Sequence, residues 1–571
     1  MMRSRSVMPQ TARENFGTQA PAWTPSIRQP AGRAARRMSA PARKFRGGLL
    51  LGLLRSPLRV AYLGCVALFL WCVAQFHHGE TGFSSLISIG DVLSGSKVTA
   101  LRQTPHYVYE HSSGYDGAYY VQLALYPTLN NPELTKAIDN LPYRARRILF
   151  CWAAWALGLG QPAWVVQAHA LLNVICWLAL AWVLLRWFPA TGWHNFFRWG
   201  AVMFSHGVCM SVRNSLVDAP SLLLVALALR WFEDGRRSAG AVTLALAGLG
   251  KETSLLASAG LDVLWRQPRT WWRTAVTVAL IAMPLLAWMT YVRLKFGPAE
   301  DPGLGNFTLP LAGYWEKLQV SWHDALAADG AELSWATLGV VIALAAQWIF
   351  FVVRWRPDDR WWRVGVGFAV MMTFLSTPVW EGYPGAATRV LLPMTLAFNV
   401  LVPRSPRWWP LLIAGNLTVA ASVFTFSPPH DFYHIRGDAD LRAAVRVVPS
   451  GGWHGPERHL DEKWRWAGEQ AELRIYNTGP VPVGFVMQAK ASAVTQPRQL
   501  RVSAGGKLLW GETVNEVPRD LRFGLTLPPG ETTLAFVTDR PAEKVGTDPR
   551  ELAFRVANVK LFVAPAPAAR H

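Results

Sequence analysis

The chain has 571 residues, is 51% hydrophobic and only 16% charged, and carries 29 Trp. Soluble domains are about one-quarter charged, so this balance excludes an ordinary soluble globule and points to the membrane. The formal charge of +20 does not imply a nucleic-acid partner. The excess sits in a terminal tail and in short loops between apolar stretches, where the positive-inside rule places it.

Residues 1–55 are that tail. They hold Arg3, Arg13, Arg33, Arg36, Arg37, Arg43, Lys44 and Arg46 against the single acid Glu14, in a Pro-, Ala- and Ser-rich background. Such a segment cannot bury a core and is expected to be disordered and cytoplasmic. Residues 56–426 form the next unit, with apolar stretches of the length that crosses a bilayer as a helix. Eleven spans are expected, near 60–76, 163–186, 199–213, 216–232, 239–250, 253–265, 273–293, 334–354, 363–379, 388–402 and 408–426. The pair at 239–265 is short and resembles a helical hairpin with Lys251-Glu252-Thr253 at its apex. Arg186, Arg198, Arg230, Arg236, Arg237, Arg266, Arg269, Arg354, Arg356, Arg404 and Arg407 fall in alternate loops, which are therefore read as cytoplasmic. An odd number of spans then puts the C-terminus outside.

Two outer pieces follow from this topology. The first is the long loop 77–162, whose apolar run Ile148–Leu157 is too short to span and is expected to lie in the interface. The second is 427–571. Its short runs Ala471–Tyr476, Val483–Ala489, Leu500–Trp510, Leu521–Leu527, Thr532–Val537 and Leu552–Val563, separated by Gly/Pro turns, predict an extracytoplasmic antiparallel β-sandwich.

The outer loop carries Gly114-Tyr115-Asp116-Gly117-Ala118-Tyr119-Tyr120. An Asp-Gly pair is an ordinary turn, but a carboxylate among aromatic rings at the outer face is also placed to act as a general base. Farther along, Tyr143-Arg144-Ala145-Arg146-Arg147 breaks the positive-inside trend. Its arginines serve equally as headgroup contacts or as a phosphate clamp. Lys251-Glu252 between apolar runs is costly at membrane depth and reads as functional. Arg213 and Asp218, at the outer end of two spans, suit an ion pair that positions helices. Glu381 with Arg389 has the same alternatives, a loop ion pair or a site. These five groups are expected on one side of the membrane. The five cysteines, Cys65, Cys72, Cys151, Cys176 and Cys209, show no disulfide or zinc spacing. His77-His78 with Glu80 matches no strong ligand pattern, so no metal is assigned.

With these elements the chain resembles the GT-C superfamily of polytopic glycosyltransferases, and more narrowly bacterial mannosyltransferase-like or cell-surface glycopolymer formation proteins. The matching elements are Tyr115-Asp116-Gly117 with Tyr119 or Tyr120, Tyr143-Arg144…Arg147-Ile148-Leu149, Asp218 before Pro220, Lys251-Glu252-Thr253 and Arg389-Val390-Leu391-Leu392-Pro393. They cover residues 55–426. The resemblance implies a GT-C-like fold in a bacterial inner membrane. The implied activity is transfer of a sugar, with inversion, from a polyprenyl-phosphate-linked donor to an extracytoplasmic glycan, lipid or protein acceptor. Asp116 is implied as base. Tyr115, Tyr119, Tyr120, Arg144, Arg147, Arg213, Asp218, Lys251, Glu252, Glu381 and Arg389 are implied as substrate contacts. Two departures stand out: Gly117 follows Asp116 where an acidic pair is common, and Lys251 replaces a common Arg. No cofactor is certain, and a divalent metal stays open. Two other classes compete, a transporter or flippase of lipid-linked sugars and a non-catalytic membrane scaffold. Transporters tend to show inverted repeats, and no half-to-half similarity is evident here.

Overall fold

The computed structural model describes residues 56–566 apart from 79–80, 91–95, 110–111, 262–267, 299–302, 328–331, 383, 430–432, 438, 460–461, 547 and 549. The expected disordered tail and Glu80 lie outside the described residues. Among these residues, four helices are long and apolar enough to cross a bilayer: Pro57–Ala74, Pro162–Arg186, Trp271–Phe296 and Glu332–Val353. Two of them open with a proline at their first turn, where the missing N–H costs nothing.

The other expected spans are shorter or broken helices, and 408–426 is divided into the short helices Trp409–Ala414 and Thr418–Ser422. The stretch 199–213 is two helices, Trp193–Met203 and His206–Arg213, because Ser205 takes an extended backbone between them. The stretch 253–265 is a 3-10 helix, Glu252–Gly260, not an α-helix. Its end carbonyls are taken by arginines: Arg363 donates to Ala259 O and Leu261 O, and Arg360 to Gly260 O. The stretch 388–402 restarts as Leu392–Leu401, with Pro393 in its first turn. The stretch 363–379 divides into Arg360–Phe374 and Thr377–Trp380.

Buried polar side chains tie these pieces together. Arg198, 2% exposed, donates to Asn399 O, Val402 O and Pro403 O, capping the carbonyl end of helix 392–401. Asn399 and Asn416 exchange two amide hydrogen bonds. Phe69 of the first helix stacks on Trp177 at 3.7 Å.

The loop 77–162 is built of short helices, among them Gly117–Leu125, Leu141–Ala145 and Leu149–Leu157. Helix 149–157 leaves Trp155 and Leu157 exposed. Asn140 Oδ1 accepts from Tyr143 N and caps helix 141–145, and Trp288 Nε1 holds its other end through Ala145 O. Gly117 is packed so closely that a Cβ would overlap the carbonyl of Asn214. This steric limit restricts the position after Asp116 to glycine.

The C-terminal region has its own hydrophobic cluster. Its strands are β1 (Tyr433–Gly437), β2 (Val445–Pro449), β3 (Trp453–His459), β4 (Glu462–Ala467), β5 (Gln470–Asn477), β6 (Val483–Ala493), β7 (Arg498–Ala504), β8 (Lys507–Val514), β9 (Arg519–Leu527), β10 (Gly530–Thr538), β11 (Glu543–Lys544), β12 (Glu551–Leu552) and β13 (Phe554–Pro565). They form one sheet ordered β3-β4-β13-β6-β9 with β1 beside β13, another ordered β2-β5-β10-β7-β8, and a two-stranded sheet of β11 and β12. Inward residues of both sheets, such as Phe485, Phe554, Leu473 and Phe536, share that cluster. Two expectations are corrected. The run Leu500–Trp510 is a hairpin split at Gly505-Gly506, and β1 pairs with β13 in parallel, so the region is not wholly antiparallel.

Candidate functional site

A cavity of about 290 Å3 is lined by Asp116, Tyr120, Tyr143, Arg144, Arg146, Arg147, Asp218, Lys251, Glu252 and Arg389. Its remaining wall is mostly apolar and includes Leu304, Phe307, Met371, Leu375, Pro378 and Val379. That wall is stitched by backbone: Thr308 N donates to Phe374 O, Leu311 N to Thr373 O and Ser376 N to Asn306 O. Gly303 has a φ of +88° and a position where a Cβ would press on the Tyr143 ring. A side chain there is disfavoured on both counts.

Five cationic side chains line the cavity against three carboxylates, an excess of two positive charges. The charges form three groups. In the first, Arg144 Nη1 stands 3.0 Å from Asp116 Oδ1. Its Nε and Nη2 reach the two oxygens of Asp139 at 3.1 and 2.8 Å. In the second, Arg147 makes a two-point bond to Glu252 at 2.8 and 2.6 Å, and Arg146 adds a contact at 3.1 Å. Tyr120 and Tyr143 hydroxyls accept from Arg147 as well. In the third, Asp218 Oδ1 accepts from Lys251 and Oδ2 from Arg389 at 3.3 Å. Arg389 also donates to the Tyr115 hydroxyl at 3.1 Å.

Protonation in the outer loop follows from these partners. Burial pushes the Arg144 guanidinium down, but the hydrogen bond to Asp139 and the charge of Asp116 outweigh it and hold the group raised. Burial likewise raises Asp139, yet its bonds to Arg144 override this and hold the carboxyl below its ordinary value. Burial raises the Tyr143 phenol, while Arg147 and Arg146 pull it below its usual range. Arg144 also lies 5.0 Å from the Tyr119 ring centre, and Arg146 lies 3.9 Å from that of Tyr143.

The structure thus brings together Asp116, Tyr120, Arg144, Arg147, Asp218, Lys251, Glu252 and Arg389, with Tyr115 and Tyr119 against their cations. It does not bring in Arg213 or Glu381. Arg213 donates to Ser85 O, Ser88 Oγ and Tyr109 Oη, so the expected pair with Asp218 is not formed and Arg213 braces the outer loop instead. Glu381 is exposed, and its expected partner Arg389 turns to Asp218. Asp139 and Tyr143 are not among the expected contacts, although both sit in or near the Arg-rich run, whose Arg146 is expected only as one of its three arginines. Gly303–Phe307 carries no sequence signal, because apolar lining looks like any loop next to a membrane. Among the described residues, no group of three or more His, Cys, Asp or Glu is placed to hold a metal ion.

No protein-family model and no curated protein matches the chain. Among solved structures, the apo crystal structure of ArnT from Cupriavidus metallidurans is similar over 56% of this chain, at 15% identity and a TM-score of 0.34. The arabinosyltransferase EmbB from Mycobacterium smegmatis is similar over 82%, at 12% identity and a TM-score of 0.27. The matched parts span 59% of the ArnT chain and 64% of the EmbB chain.

Proposed function

We propose that this chain is a multi-pass membrane glycosyltransferase, with Asp116 as general base. It moves a sugar from a polyprenyl-phosphate-linked donor to an extracytoplasmic hydroxyl acceptor. One observation carries the reading. Both oxygens of Asp218 and both of Glu252 are held by cations. Asp116 is the most open of the three cavity carboxylates, with its side chain 28% exposed, and only its Oδ1 is ion-paired, to Arg144. Among the described residues its Oδ2 makes no hydrogen bond. A base needs a free oxygen facing the reacting group.

The chemistry balances on these residues. The acceptor oxygen attacks the anomeric carbon, the bond from that carbon to the phosphate oxygen breaks, and polyprenyl phosphate leaves with the electron pair. The acceptor proton passes to Asp116 Oδ2. Attack opposite the leaving phosphate inverts the anomeric centre. The excess positive charge supports an anionic leaving group, and Arg147, Lys251 and Arg389 are the cations that would hold it. The apolar wall at Leu304 and Phe307 suits the start of a lipid chain. The C-terminal β-sheets, read as an extracytoplasmic β-sandwich, would be accessory.

The test is turnover by purified protein in nanodiscs. The donors are polyprenyl-phosphate-linked mannose and glucose, and the acceptor is an alkyl glycoside. Release of polyprenyl phosphate with formation of a new glycoside supports the reading. Movement of intact donor between leaflets without bond cleavage would make the chain a transporter instead.

A further inference from the structure

Asp139 does not line the cavity, yet its carboxylate is engaged on both oxygens toward it. Oδ1 accepts from Asn140 N at 2.7 Å and from Arg144 Nε at 3.1 Å, and Oδ2 accepts from Arg144 Nη2 at 2.8 Å. Asn140 is itself the cap of helix 141–145, so the carboxylate is anchored to the start of the helix that carries Arg144. A guanidinium is a rigid planar fork. Once Asp139 fixes the edge formed by Nε and Nη2, the plane is set and Nη1 can point only along the opposite side. That side is where Asp116 Oδ1 stands, at 3.0 Å. The Tyr119 and Tyr143 rings flank the same guanidinium at 5.0 and 5.7 Å and limit its rotation.

We propose that Asp139 is a positioning residue for Asp116, acting through Arg144. Asp139 holds Arg144, and Arg144 holds one oxygen of Asp116, which turns the other oxygen to the cavity. Arg144 then serves the base rather than the phosphate. The proposal rests on Asp116 being the base.

The experiment compares wild type, D139N, D139E, R144K and the D139N/R144K double variant in the nanodisc assay, with turnover expressed per folded protein. Asparagine keeps the shape but cannot accept on both atoms, so kcat is expected to fall on the order of ten- to a hundredfold from misplacement alone. The KM for polyprenyl-phosphate mannose should stay near wild type, and D139E should recover part of the loss. R144K keeps the charge without the fork, and the double variant should be no slower than R144K alone. Normal kcat in D139N, or losses that multiply in the double variant, would overturn the proposal. A crystal structure of D139N needs no turnover. Arg144 Nη1 is expected to leave Asp116, and an Nη1–Oδ1 distance still near 3.0 Å overturns the proposal even if wild type proves inactive on every donor. Inactive wild type would instead count against the glycosyltransferase reading.

Discussion

Arg147 and Glu252, 105 positions apart in the chain, form a two-point ion pair at 2.6 and 2.8 Å. It joins the outer loop to the apex of the hairpin 237–260, and Arg146 closes on the same carboxylate. The sugar-transfer reading needs that junction, because it brings the cations of two distant segments to one cavity.

Removing Glu252 should therefore loosen the site. Glu252→Ala leaves two arginines facing each other without their acid. We expect a loss of about 2 kcal/mol, below the ~3–5 kcal/mol of a fully buried pair, because the Glu252 side chain is 22% exposed. Thermal unfolding in detergent followed by Trp fluorescence checks this. An unchanged midpoint would mean that the pair does not brace the outer loop.

Arg389 divides its fork between Asp218 and the Tyr115 hydroxyl. An ammonium lacks the planar two-nitrogen fork that meets both at this geometry. Arg389→Lys is expected to weaken donor binding by roughly 1–3 kcal/mol, read as the KM for a polyprenyl-phosphate sugar. Lys251→Ala should weaken it by a similar amount. Normal KM in both variants would remove these cations from phosphate binding.

Asp139 predicts a pH dependence of stability. Its carboxyl is held below the ordinary value of 3.8. A depressed carboxyl stabilises the fold above its unfolded value, and that contribution is lost as pH falls through the folded value. Wild type should therefore melt higher than D139N at about pH 5–7, and the gap should close below about pH 4. A gap that stays constant down to about pH 3 would show that the Asp139 charge contributes nothing.

Topology is tested separately. The proposed orientation, read from the alternating loop arginines, has the tail inside and residues 427–571 outside. A phosphatase fusion after Pro428 should be active in the periplasm. Activity of a cytoplasm-only reporter at the same junction would reverse the orientation of the cavity.

Much of this site is legible in the sequence, for a physical reason. Charged residues between apolar runs are costly, so Lys251 and Glu252 stand out by their setting, while Asp116, Arg147, Asp218 and Arg389 stand out as charges clustered in short motifs. Their pairing is not legible. Arg213 and Asp218 lie close in sequence, but helix 206–213 ends before Asp218 begins the next helix, and each side chain finds partners elsewhere. Span lengths are legible where a helix runs uninterrupted, as at 332–353. They are not legible where Ser205, Pro378 or Pro393 sits at the start of a new helix inside an apolar stretch. Strands β1, β3 and β4 escape a sequence reading because their Arg, His, Glu and Trp content lacks clean alternation, and β2 because it is only five residues long, while β5, β6, β9 and β10 alternate and declare themselves. The apolar wall at 303–307 forms only through pairing with 373–376, a tertiary event with no local mark.

Asp116→Asn is the most direct test of the central claim. The substitution keeps size and removes the proton acceptor. In purified, folded protein, transfer from polyprenyl-phosphate mannose to an alkyl glycoside should fall on the order of a hundredfold or more, with donor affinity and melting temperature retained. Near-normal transfer by that variant would contradict the account and move the base to Asp218 or Glu252.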